Sequence, residues 1–80
     1  MKKNFVLLNV DNNKYWTGRY WEIPYSVDIK DAKQFNTEDE LINEISTTEE
    51  ENYSVRELLN EVRMFEVRVV YVANGCKHAL

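Results

Sequence analysis

Between Met64 and Val72, the side chains of Phe65, Val67, Val69 and Tyr71 alternate with Glu66, Arg68 and Val70. A period of two places the two sets on opposite faces of an extended chain, so this stretch predicts a half-buried β-strand. Asn74-Gly75 is expected to end it, leaving 74–80 as a flexible tail. A half-buried strand needs sheet partners, and the N-terminal third supplies them. Asn4 to Val10 is a short apolar run of strand formers, and Asp11-Asn12-Asn13-Lys14 is a polar cluster whose Asn and Asp side chains tolerate turns. Tyr15-Trp16-Thr17 then resumes with aromatic and β-branched residues, so the three segments predict a β-hairpin. Gly18-Arg19 marks a bulge or second turn before Tyr20-Trp21-Glu22-Ile23, and Pro24 stops regular pairing.

The middle of the chain has helical signals. Asp28 to Ala32 reads as a single turn capped by Asp28, and Lys33-Gln34-Phe35 as a short strand returning to the sheet. Thr37-Glu38-Asp39-Glu40 is a capping box, followed by Leu41, Ile42 and Ile45 on one helical face. Ser54-Val55-Arg56-Glu57 is a second capping box, predicting a short helix from Ser54 to Arg63 with Val55, Leu58, Leu59 and Val62 as its apolar face. The expected order is β-β-(β)-α-α-β. We therefore expect an α+β fold, a small antiparallel sheet with one or two helices packed on one face. With 80 residues the chain forms one domain, 1–80, which buries roughly 63% of its unfolded surface in a modest core. Apolar residues at 44% with only two Gly and one Pro exclude a disordered or collagen-like chain.

Charge is distributed unevenly. The net −4 resolves into +2 over 1–35, −8 over 36–62 and +2 over 63–80. In the acidic middle, Glu38, Asp39, Glu40, Glu44, Glu49, Glu50, Glu51, Glu57 and Glu61 face Arg56 alone. Acids in a first helical turn suit the macrodipole, and Glu49 to Glu51 also suit a solvated loop. The functional reading is that Glu38, Asp39, Glu44, Glu49, Glu50, Glu51, Glu57 and Glu61 form an acidic helical face. Such a face resembles a string of phosphates and attracts a protein with a basic surface, such as one that binds nucleic acid. The same charge disfavours direct binding of duplex DNA.

Five aromatic residues fall close together: Tyr15, Trp16, Tyr20, Trp21 and Tyr25. Neighbours in a strand point to opposite faces, so one helical layer cannot bury both sets. Some of these rings are therefore expected at an interface, with a partner or in a homodimer, where Trp and Tyr serve as anchors. Wrapping of the small core by the same rings is the structural alternative. Stacking of single-stranded bases, helped by Arg19, Lys14 and the N-terminal lysines, is the other functional one.

Catalytic signatures do not emerge. Cys76 and His78 are the only thiol and imidazole, two apart in the expected tail and without an orienting third group. Zinc would need more such ligands, Glu49 to Glu51 lacks the order and central glycine of a calcium loop, and two glycines make no phosphate loop. We assign no catalytic residue, metal or cofactor. A single cysteine precludes an internal disulfide, and the Asn52-Tyr53-Ser54 sequon has no meaning in the reducing interior that this suits. Phe5 to Leu8 is too short for a signal-peptide core or a membrane span, so a cytoplasmic protein without membrane contact is expected.

Lys14-Tyr15-Trp16-Thr17, followed by Asp31-Ala32-Lys33-Gln34-Phe35-Asn36-Thr37-Glu38-Asp39-Glu40-Leu41, resembles a pattern in short uncharacterised accessory proteins of Gram-positive phages and prophages. There an aromatic hairpin leads to an A-x-x-F segment and an acid-capped helix. The resemblance covers about residues 5–45, and the second helix expected here departs from it. It implies an accessory role, since small acidic phage proteins often block host enzymes or defence nucleases, as anti-CRISPR proteins do. The expectation is a non-enzymatic protein–protein interaction module, with a single-stranded nucleic-acid binder and a structural homo-oligomer subunit as alternatives.

Overall fold

The computed structural model describes residues 4–19, 21–48, 51–59 and 67–74. Five strands form one antiparallel sheet: β1 (Asn4–Asn9), β2 (Lys14–Trp16), β3 (Tyr25–Ser26), β4 (Asn52–Leu58) and β5 (Val67–Asn74). Their spatial order is β3-β2-β1-β4-β5, with a 3₁₀ turn (Ile29–Asp31) and one helix, α1 (Glu38–Ser46), between β3 and β4.

β1 lies at the centre and is buried on both faces, which is why Phe5 to Leu8 is a continuous apolar run without alternation. The turn after it is built by side chains. Asn9 Oδ1 accepts from the amides of Asp11 (2.9 Å) and Asn12 (3.1 Å), and Asn13 takes a left-handed φ of 59° that asparagine tolerates. Residues paired directly across an antiparallel ladder share a face. On one face Phe5, Leu7, Trp16, Tyr53 and Val55 pack with Phe35 and with Leu41 and Ile45 of α1. On the other, Val6 and Leu58 pack with Ala32, backed by Tyr15, Ile29 and Val67.

The two local helix starts form as their caps dictate. Asp28 accepts from the Lys30 amide ahead of the 3₁₀ turn, and Thr37 from the Glu40 amide at 3.2 Å ahead of α1. Glu40 reaches back to the Asn36 amide, one residue before the cap.

The expected second helix is wrong. Asn52 to Leu58 is the strand β4, hydrogen-bonded to β1 on one side and β5 on the other, and 60–66 lie outside the described residues. Among the described residues the fold is therefore mostly β-sheet with one helix, and the segment expected to open a second helix is a strand. Ser54 to Glu57 is a capping box only in spelling. As a strand, the segment puts Tyr53, Val55 and Glu57 on the helix face and Ser54, Arg56 and Leu58 on the other, each facing a partner in β1. Two neighbouring strands outweigh a local helical preference of a few tenths of a kcal/mol per residue.

Three smaller corrections concern the sheet. Lys33 to Phe35 makes a single bridge, with Phe5 and Phe35 exchanging backbone bonds at 2.8 and 2.9 Å, because β2 is too short to cover that end of β1. The third strand instead lies at Tyr25–Ser26, just after Pro24. In β5 the ladder slips at Val55/Arg56: Val55 faces Tyr71 while Arg56 faces Val69. The extra residue, Val70, inverts the alternation, so Tyr71 and Ala73 pack on the helix-side core and Val69 turns to solvent. The expected start of this strand, Met64 to Glu66, lies outside the described residues, as does all of the expected tail but Asn74, which pairs with Asn52.

Candidate functional site

Where α1 ends above the β2–β3 edge, an open cleft of about 800 Å³ forms. Trp16 of β2 and Tyr25 of β3 form its floor, and Gly18, Trp21 and Pro24 come from the loop between those strands. Glu44, Thr47 and Thr48 come from the end of α1, Lys33 from the segment before it, and Glu51 from the approach to β4. The β2–β3 region, the end of α1 and the approach to β4 are far apart in sequence, and the folded sheet gathers them.

The floor is an aromatic cluster. Trp16 and Tyr25 are directly paired across β2 and β3, with ring centroids 5.5 Å apart and planes inclined at 59°. Tyr53 meets Trp16 edge-on at 6.5 Å. Such tilted geometries suit the ring quadrupoles. Trp16 is buried, and its Nε1–H donates to Glu44 at 2.8 Å. The other oxygen of that carboxylate accepts from Lys33 Nζ at 3.1 Å, and the ammonium also lies 5.3 Å from the centre of the Phe35 ring. Gly18 makes this possible: with φ at +80°, it lets the Lys33 stem pass so close that a Cβ there would sit 2.7 Å from Cδ.

Behind the floor, Asn9 is a buried hub. Its Nδ2 donates to the Tyr25 hydroxyl at 3.2 Å and to Glu51, while its Oδ1 holds the β1–β2 turn. Tyr25 and Tyr53 share a hydroxyl–hydroxyl hydrogen bond at 3.0 Å. Burial first, then the neighbouring Tyr53 hydroxyl, pushes Tyr25 above the ordinary tyrosine range, and burial also pushes Tyr53 up. Both phenols stay neutral at any physiological pH.

The rim is set by Thr17. Its amide donates to Pro24 O at 3.0 Å, and its hydroxyl donates to Ile23 O and accepts from the Arg19 amide at 3.1 Å. These bonds close the loop that presents Trp21, whose side chain is 69% exposed at the mouth. The end of α1 has no basic residue in its last turn; the hydroxyls of Ser46, Thr47 and Thr48 donate instead to its terminal carbonyls at Asn43, Glu44 and Ile45.

Of the aromatic residues singled out by sequence, the structure brings together Trp16, Trp21 and Tyr25. Tyr15 lies on the opposite face against the Val6 cluster, and Tyr20 is outside the described residues. The acids of the expected helical face that lie among the described residues are spread over α1, the approach to β4 and β4 itself. Glu44 and Glu51 reach the cleft, and Glu38 and Asp39 sit exposed on the first turn of α1. Glu57 is not on a helix but is buried in β4 and paired with Arg68. Glu49, Glu50 and Glu61 lie outside the described residues. Sequence reasoning missed Asn9, Thr17, Lys33 and Tyr53: Asn9, Lys33 and Tyr53 reach the cleft through partners in other elements, and Thr17 closes its loop through Arg19, Ile23 and Pro24 without a recognisable turn motif. No protein-family model, curated protein or solved structure matches this chain.

Proposed function

We propose that this chain is a non-catalytic protein-binding module, and that it recognises a basic partner surface through the cleft at the end of α1. One observation carries the reading: three rings of one hairpin region and two carboxylates from separate elements meet at one open cleft. Aromatic side chains with an apolar body and a polar tip are the usual anchors of protein interfaces. The lining favours positive charge, since among the described residues Glu44 and Glu51 stand against Lys33 alone. That balance also ranks single-stranded nucleic acid below a protein partner, because a phosphate backbone would meet two carboxylates. The partner is a basic protein of the same cytoplasm, and the phage-like pattern makes a host protein the natural candidate.

The test is capture of partners from host-cell lysate, followed by binding of the purified partner to wild type and to Trp21→Ala. The reading predicts about tenfold weaker binding by the variant, a typical loss for an exposed anchor. Equal affinity overturns it. Self-association is the second reading, favoured by β5: this edge strand exposes Val69, Val70 and Val72, and among the described residues no strand pairs with its outer side. Light scattering that gives a dimer mass, reduced to a monomer by Val72→Lys, supports that reading, and a monomer in the wild type removes it.

A further inference from the structure

The cleft is also specific about the chemistry of what it accepts. Resting on the protein-binding reading, we propose that it takes one organic cation, the side chain of a lysine or arginine on the partner, with the charged head at Glu51 and the alkyl stem against Trp21 and Tyr25. The charges inside the cleft are unequal in their commitments. Lys33 and Glu44 neutralise one another at 3.1 Å, and the second Glu44 oxygen is taken by the Trp16 indole at 2.8 Å. Among the described residues, Glu51 is held by neutral groups alone, the Asn9 amide and the Tyr25 hydroxyl, and the lining offers no second cation to offset its negative charge. The α1 terminus beside it carries no basic residue in its last turn, and its carbonyls at Asn43, Glu44 and Ile45 are taken by the Ser46, Thr47 and Thr48 hydroxyls, so Glu51 remains the main negative charge there.

Aromatic walls complete the match. A cation beside Trp or Tyr is attracted by the ring face, and the methylene stem of lysine or arginine covers apolar surface while its head stays polar. Trp21 at the mouth and Tyr25 on the floor supply those walls, and Tyr25, held neutral, places no competing phenolate there. An anion is disfavoured for the converse reason. It would have to pull Lys33 from Glu44 and would then face Glu51.

Three short peptides, identical except for a central Lys, Arg or norleucine, titrated against tryptophan fluorescence of the whole protein test this. Free choline and putrescine form a second arm. The Lys and Arg peptides are expected to saturate with a Kd near about 1 mM, a reasonable value for one side chain, and norleucine to bind about tenfold more weakly. Glu51→Gln keeps an acceptor for Asn9 and should remove most of that tenfold preference, while Trp21→Ala weakens both cationic peptides. Equal binding of norleucine, or an unchanged preference in Glu51→Gln, overturns the proposal. Choline or putrescine binding as well as the peptides overturns the protein-borne source. If no peptide binds but a captured partner still depends on Trp21, this inference falls and the protein-binding reading stands.

Discussion

The indole Nε1–H of Trp16 donates to the Glu44 carboxylate at 2.8 Å, joining strand β2 to helix α1 over 28 residues of chain. Trp16 is buried, so without this acceptor its N–H would be lost to water and left unpaired. An unpaired buried donor costs about 1–3 kcal/mol, against a net value near 1 kcal/mol for an ordinary hydrogen bond. Glu44→Ala is therefore expected to destabilise by about that larger amount, and Glu44→Gln, which keeps an acceptor, by less. A double-mutant cycle with Trp16→Phe in urea unfolding should give a coupling of about 1–2 kcal/mol, and additivity would deny the bond.

Gly18 holds the rim by what it lacks. Its φ of +80° is left-handed, and a Cβ would meet Lys33 Cδ at 2.7 Å. Gly18→Ala is expected to cost about 1–2 kcal/mol, the usual penalty of a side chain in that conformation. Thermal unfolding checks it. Adding Lys33→Ala should relieve the contact but not the backbone strain, so most of the loss remains in the double variant.

Alkaline pH probes the floor of the cleft. Tyr25, Tyr53 and Tyr71 are each pushed above the ordinary tyrosine value, chiefly by burial. In the unfolded chain they deprotonate near about pH 10, so beyond that pH the folded state holds more protons than the unfolded one. Their contribution to stability is complete below that pH and falls as pH rises through the raised folded values. The phenolate absorbance of these three tyrosines should therefore appear together with loss of the fold, and Tyr25→Phe should shift the alkaline midpoint upward. Smooth ionisation of every tyrosine near its usual value, with the fold intact, would contradict this environment.

The strand assignment of β4 has its own discriminating substitution. In a helix starting at Ser54, Arg56 would lie in the first turn, where proline is tolerated. In β4 it pairs with Val6 on one side and Val69 on the other, so a proline there removes a ladder bond from the middle of the sheet. Arg56→Pro is expected to remove a large share of the roughly 4–12 kcal/mol available to a domain of this size. Circular dichroism of the variant decides between the two: retained folding would restore the helix.

What could be read from the sequence followed the range of the interactions. Thr37 and Asp28 cap elements within a few residues of themselves, and the Asp11-Asn12-Asn13 cluster turns on its own side chains, so each was legible as a string of residues. Ser54 to Leu58 carried the same local spelling as Thr37 to Leu41, yet became a strand because β1 and β5 flank it. The bulge at Val70 likewise depends on a partner strand, and it moved Val69 to the surface against the period-two pattern. The aromatic hairpin announced Trp16, Trp21 and Tyr25, but the hydrogen bonds of Asn9 to Glu51 and of Lys33 to Glu44 span elements that only the folded sheet brings together.

The cleft as the recognition site is tested most directly by a two-dimensional NMR titration of isotope-labelled protein with the lysine-bearing peptide. The chain has two tryptophans, so two indole N–H signals report on Trp16 and Trp21. Both are predicted to shift saturably along with the Glu51 amide, while Val69 to Val72 on the outer strand stay in place. Unmoved indoles with shifts confined to β5 would contradict the cleft and place recognition at the sheet edge.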